Sequence, residues 1–260
     1  MTIYSRSTII FSIFLFWFGV QTVSAQLWFE VEAGLPFVGY NEVRVPNSGT
    51  PFDFEDDFAL DGLVVPVRLR ASYTFKEKNE IIGLAAPLSV TYTGESPRDI
   101  NFQNTTFEEG IMVDGLYKFN SFRLTYRRQL VKKENWWFSL GFTAKIRDAR
   151  IRLRTGEASD FKNDVGFVPL LHIYTGYQSG KWSFLLEGDG LAGGPGRAFD
   201  VFAGAGYHIK DDWQIRLGYR IVEGGADIEE VFNFALIQFA ALSVNYSLPL
   251  RKTSTAGVQN

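Results

Sequence analysis

The chain lacks cysteine altogether and holds only two histidines and two methionines among 260 residues. Without cysteine there is no disulfide, no thiolate metal site and no lipid-modified N-terminal anchor. The histidines, His172 and His208, are too few for an imidazole metal cluster, and the acidic residues follow no calcium-loop spacing, so neither a metal nor a cofactor is expected. A dominant charge sign is also lacking: 26 basic residues stand against 29 acidic ones, a balance that argues against a nucleic-acid partner. Long apolar runs are missing beyond the N-terminus. There Ile9–Val20 makes a run of about 12 residues, short of the ~20 that a membrane helix needs.

That run follows the single charge Arg6 and precedes Val23-Ser24-Ala25. A charged start, a short apolar stretch and small residues at the cut describe a secretory signal over 1–25. Its removal leaves 25 basic and 29 acidic residues. Residues 26–250 then form one domain, followed by a polar tail at 251–260.

Aromatics are what the chain has in abundance, at 16% of residues. Every tryptophan after the signal stands where a strand restarts: Trp28, Trp136, Trp137, Trp182 and Trp213. Strands arriving at the same turns carry Tyr73, Tyr126, Tyr177 and Tyr207. Amphipathic rings gathered at one end of an antiparallel sheet suit the headgroup level of a bilayer, so these tryptophans are expected to mark the periplasmic interface.

Strands are expected at 27–34, 59–75, 80–93, 108–130, 136–154, 165–178, 182–192, 198–210, 213–223 and 234–248. Turns at 76–79, 131–135, 179–181 and 211–212 lie on the tryptophan side, and loops at 35–58, 94–107, 155–164, 193–197 and 224–233 on the other, the first, third and last of them acidic. This asymmetry predicts an all-β antiparallel transmembrane barrel of about ten strands, with eight or twelve as alternatives, short periplasmic turns and longer extracellular loops.

Side-chain alternation supports strands. In 213–221 the odd positions are apolar, whereas the even ones include Arg216 and Arg220. An arginine on the lipid face at mid-bilayer costs about 2–4 kcal/mol, which turns these two inward. The row Ile82, Leu84, Ala86, Leu88, Val90, Tyr92 shares one face, with Gly83, Ala85, Pro87, Ser89 and Thr91 on the other, so polar parity taken as inward turns the row to lipid. In 108–130 the polar parity flips between Lys118/Asn120 and Arg123/Arg127, and 136–154 flips likewise between Arg147 and Arg150. Paired bulges are the expected cause. A turn at Asn120-Ser121 would instead raise the count to twelve.

Polar parity taken as inward fills the lumen with both signs, Asp114 and Lys118 included. A barrel this narrow should close with paired charges. The expected network is Glu30 and Glu32 against Arg68 and Arg70, and Glu187 and Asp189 across the lumen from Arg216 and Arg220. No catalytic constellation accompanies it: neither histidine has a serine two residues away on its strand, so both are expected to be buried and hydrogen-bonded. Arg150, Arg152 and Arg154 alternate toward the loop end, within reach of lipopolysaccharide phosphates. The segment Gly188–Gly196 joins two strands and opens no helix, which makes it a tight connection and not a phosphate loop.

With these features the chain resembles the small outer-membrane β-barrel proteins of Gram-negative bacteria. The resemblance implies an outer-membrane location, contact with outer-membrane lipids and lipopolysaccharide, and assembly by the barrel-insertion machinery; it is silent on activity and oligomeric state. The chain departs from the pattern in running past Tyr246-Ser-Leu-Pro-Leu250 into Arg251–Asn260, where many such proteins end on an aromatic residue. A non-enzymatic structural or surface-interaction role with a plugged lumen is the leading expectation. A narrow channel for small polar or ionic solutes is the first alternative, and a lipid-modifying enzyme the second.

Overall fold

Alternation at every second residue gives a sheet two unlike faces, and closing that sheet puts one face inside and removes its edges. The computed structural model describes residues 26–248; the signal and the polar tail lie outside the described residues. Ten antiparallel strands form the wall: β1 (Gln26–Arg44), β2 (Val67–Phe75), β3 (Asn79–Ala86, resuming after Pro87-Leu88 as Ser89–Glu95), β4 (Met112–Lys132), β5 (Trp136–Arg154), β6 (Ser159–Ser179), β7 (Trp182–Gly193), β8 (Gly196–Lys210), β9 (Trp213–Ile228) and β10 (Val231–Leu248). Each pairs with the next, and β10 closes on β1 from Leu27↔Leu248 to Arg44↔Phe232. The turns on the tryptophan side fall where the sequence places them.

The other end differs from expectation. The connection at 155–158 closes on a Thr155–Ala158 hydrogen bond, and two-residue turns join β7 to β8 and β9 to β10. Polar residues there belong to strands that continue beyond the membrane. Only 45–66 and 96–111 are long connections, and both fold inward over the barrel mouth.

The parity flip is not a bulge. Asp148↔Asn120 and its neighbours pair without a shift, and the register shift between β4 and β5 lies far below, at Phe138/Ser139. Odd residues of β4 face inward throughout, from Val113 and Tyr117 to Arg123 and Arg127. What changes is the environment. Below Asn120 the outside is lipid-facing and the inside polar; above it the outside is polar and the inside apolar. Asp114 and Lys118 therefore face outward, not into the lumen as their polarity suggested. The row Ile82 to Tyr92 is likewise corrected: all six side chains are buried inside, and the outer face carries Gly83, Ala85 and Ser89. Alternation reports two faces but cannot name the inner one when both neighbours are apolar.

Two storeys thus fill the interior. The upper is an apolar core of Val43, Phe52, Phe54, Phe58, Val90, Tyr92, Phe102, Phe107, Leu153 and their neighbours. A short helix, Phe54–Asp57, sits in it, capped by Asp53, whose carboxylate accepts from the Glu55 and Asp56 amides. Phe54 is fully buried and stacks on Tyr92 at 4.8 Å between ring centres. The lower storey is ionic.

Candidate functional site

The lower storey is held by strand parity. Glu30 and Glu32 on β1 oppose Arg70 and Arg68 on β2 in register, which puts each acid beside a base. Arg70 lies 3.1 Å from Glu30, and Arg68 3.3 Å from Glu32. Across the lumen the partners are not the expected ones. Glu187 takes Arg70 at 2.7 Å and Arg127 at 3.1 Å, while Asp189 takes Arg123 at 2.8 Å and His172 at 2.9 Å. Arg220 grips both carboxylate oxygens of Glu32 through two nitrogens, at 2.7 and 2.8 Å, and Arg216 lies 3.6 Å from Glu30. The structure brings all eight residues of the expected network into one cluster, with Glu30 and Glu32 against Arg70 and Arg68 as expected and the cross-lumen pairings altered.

Its hub is Asp200, which receives Arg68, Arg123 and Arg220 at 2.8, 2.7 and 2.6 Å. Six carboxylates (Glu30, Glu32, Glu80, Glu187, Asp189, Asp200) meet six guanidinium groups (Arg68, Arg70, Arg123, Arg127, Arg216, Arg220). Sequence reasoning missed Glu80, which accepts from Arg127 at 2.7 Å, Ser72 at 2.6 Å and Trp28 at 2.5 Å. Its two-residue offset from Ile82 was the available signal, hidden once that row had been assigned to lipid.

His172 is buried at 3% exposure, with Asp189 on Nδ1 and Arg127 and Glu187 at 3.5 and 3.7 Å from Nε2. Asp189 also accepts from Thr143 at 2.6 Å. The ring's other nitrogen faces ions and not a nucleophile, so the group can hold charge in place. His208, near the lower turn, shares a 3.0 Å hydrogen bond with Gln214.

The tryptophans divide. Trp136, Trp182 and Trp213 face outward and are well exposed, the latter two packed on Tyr207 and Tyr246. Trp28 and Trp137 do not join that row. Trp28 shares the even parity of Glu30 and Glu32 and points its indole N–H at Glu80. Trp137 shares the odd parity of Ser139 and Thr143 and packs on Tyr174 inside.

Above the lipid-facing belt, Arg150, Arg152 and Arg154 project outward from β5. Arg150 donates to Asn163 at 2.5 Å, Arg154 to Asp114 at 2.9 Å, and Arg152 has no carboxylate partner among the described residues. The Arg154 hydrogen bond holds the Asp114 carboxyl below the ordinary carboxylate range. Burial in the upper core pushes the Tyr92 hydroxyl up to about 12.

No protein family matches the chain, and no curated protein does so either. Solved structures do. The outer-membrane protease OmpT of Escherichia coli superposes with a TM-score of 0.51 at 11% identity, over 86% of this chain and 97% of that one. Ail of Yersinia pestis (TM-score 0.37, 14% identity, 85% of this chain and 98% of that one) aligns more loosely. The toluene transporter TodX of Pseudomonas putida (0.34, 9%, 85% and 89%) is looser again. At these identities the likeness is one of fold: the chain is a ten-stranded barrel of the Gram-negative outer-membrane kind.

Proposed function

We propose that this barrel is a non-enzymatic outer-membrane protein with a plugged lumen, acting through the surface it raises above the bilayer. The observation that carries the reading is the double filling of its interior. An ionic layer in which Asp200 binds three arginines lies beneath an apolar core built around Phe54. Solute crossing would have to break a buried charge network and displace a packed core, each costing several kcal/mol.

The raised surface has a chemistry suited to its neighbours. Arg150, Arg152 and Arg154 follow four to eight residues beyond Ile146, the last outward apolar residue of β5, and guanidinium groups on that face suit the phosphates of lipopolysaccharide. Their contact with those phosphates is part of the proposal.

Planar-bilayer recording tests the closed lumen. Purified barrel should insert without conductance steps, and reproducible ohmic steps from the wild type would overturn the reading in favour of a channel. For the comb, the triple change of Arg150, Arg152 and Arg154 to Gln should reduce lipopolysaccharide bound per barrel without altering the boiling-dependent gel shift. Unchanged retention would remove that contact.

A further inference from the structure

Between β6 and β7 the barrel wall parts. Their ladder runs from Ser179↔Trp182 to Leu171↔Gly190 and stops, although β6 continues to Ser159. Two features end it. The β7–β8 hairpin turns at Gly194-Pro195, so no strand stands beside β6 above that level. Pro169 also has no N–H to give a neighbour. The parting opens at the upper edge of the lipid-facing belt, where Phe167 on the outer face of β6 is 64% exposed.

A cleft of about 410 Å³ opens there. Phe167, Pro169 and Leu191, which share the outward face of the wall, line its outer side, Phe119, Lys145 and Arg147 line its inner side, and Arg197, paired with Glu223, stands at its rim beside the β7–β8 hairpin. Lys145 is only 3% exposed, yet has neither an ion-pair nor a hydrogen-bond partner among the described residues; its Nζ lies 4.7 Å from the Phe119 ring. Arg147 has one carboxylate partner, Asp164, and its buried Nε has no acceptor.

The ionic layer below pairs six carboxylates with six guanidinium groups, whereas the inner end of the cleft holds two basic side chains, Lys145 and Arg147, and the only carboxylate within ion-pair distance of either among the described residues is Asp164, on Arg147. Buried charge is ordinarily paired, and an unpaired one is a standing cost of the fold. A cation–π contact offsets part of it. An anion arriving through the mouth would complete it. A free inorganic anion has no use for an apolar mouth opening into lipid; an anion carrying an acyl chain does.

We propose that this cleft binds an anionic amphiphile from the outer leaflet, its carboxylate or phosphate head at Lys145 and Arg147 and its chain leaving between Phe167 and Leu191. The site is independent of whether the lumen conducts, because it opens through the wall.

Calorimetry on the full-length barrel in phosphatidylcholine nanodiscs tests it with four probes: dodecanoate, dodecyl phosphate, dodecanol and inorganic phosphate. At least one acidic amphiphile should bind one to one, and the tighter of the two identifies the head group. Lys145→Met should weaken that binding at least about tenfold, and Lys145→Arg should largely retain it. Val168→Trp fills the cleft while leaving both cations in place and should abolish binding, with the boiling-dependent gel shift of every variant confirming its fold. Dodecanol bound as tightly as dodecanoate, inorganic phosphate bound as tightly as its dodecyl ester, or no loss in both Lys145→Met and Val168→Trp would overturn the assignment. So would a wild type that binds neither acid.

Discussion

Asp200 and Lys145 are both buried charges on inward parity, and they make opposite predictions. Asp200 is surrounded by three guanidinium groups, so Asp200→Ala leaves buried cations without their counter-ion and should cost about 3–5 kcal/mol. The temperature at which the folded gel band is lost should fall accordingly. Lys145→Met removes a buried amine that has no ion-pair or hydrogen-bond partner among the described residues and should raise that temperature, by an amount equivalent to roughly 1 kcal/mol in the absence of ligand. The tryptophans give a third residue-scale test: brominated lipids should quench Trp136, Trp182 and Trp213 and spare Trp28 and Trp137. Quenching of Trp28 equal to that of Trp213 would contradict the inward indole. Parity told which charges of a strand share a face, because period two admits only two faces, but it set Asp114 and Lys118 inside and missed Glu80. It could not tell which acid meets which base, since that depends on how strands tilt around the barrel. Glu187 therefore found Arg127 and Arg70 where sequence spacing suggested Arg216 or Arg220.

At the level of the element, β4 and β5 explain why one pattern was legible and its meaning was not. The polar parity does change at Asn120 and Asp148, and the sequence shows it plainly. A bulge and a change of surroundings produce the same written pattern, and here the surroundings change: Lys118 and Arg150 face water on the very side that Phe122 and Ile146 present to lipid. The short helix Phe54–Asp57 was not legible. Four residues carry no periodicity, and the helix exists because Phe54 enters the core between Tyr92 and Gly115, where a β-carbon on residue 115 would collide with its ring. Phe54→Ala should cost about 3–5 kcal/mol locally and expose 45–66 to protease, while bilayers remain silent because the ionic layer is intact. The exposed pair Asp114–Arg154, between the upper ends of β4 and β5, contributes to the pH response of that wall. The folded carboxyl titrates below its unfolded value, so its small contribution is present above the ordinary carboxylate range and lost as pH falls through the lowered pKa. Exposure limits it to a few tenths of a kcal/mol, which an NMR titration of the Asp114 carboxyl would register as a depressed midpoint.

For the whole molecule, ten strands, an even count and the short turns at one end were readable because turn residues and tryptophans punctuate the lower rim regularly. The upper rim misled: polar stretches such as 155–164 and 224–233 look like loops to a reading that expects strands to stop where the membrane stops. They continue because an apolar filling inside and water outside make a stable barrel with no lipid at all. One consequence concerns depth. The upper edge of the lipid-facing belt, at Phe122, Ile146 and Phe167, is a waterline written into three neighbouring strands. Riding lower would draw Lys118, Asn120 and Asp148 into hydrocarbon, each charge costing about 0–1 kcal/mol near the interface and rising toward 2–4 at mid-plane. Riding higher would leave bare rings in water. The molecule therefore floats at one draught only, and membranes too thick or too thin must bend to meet it.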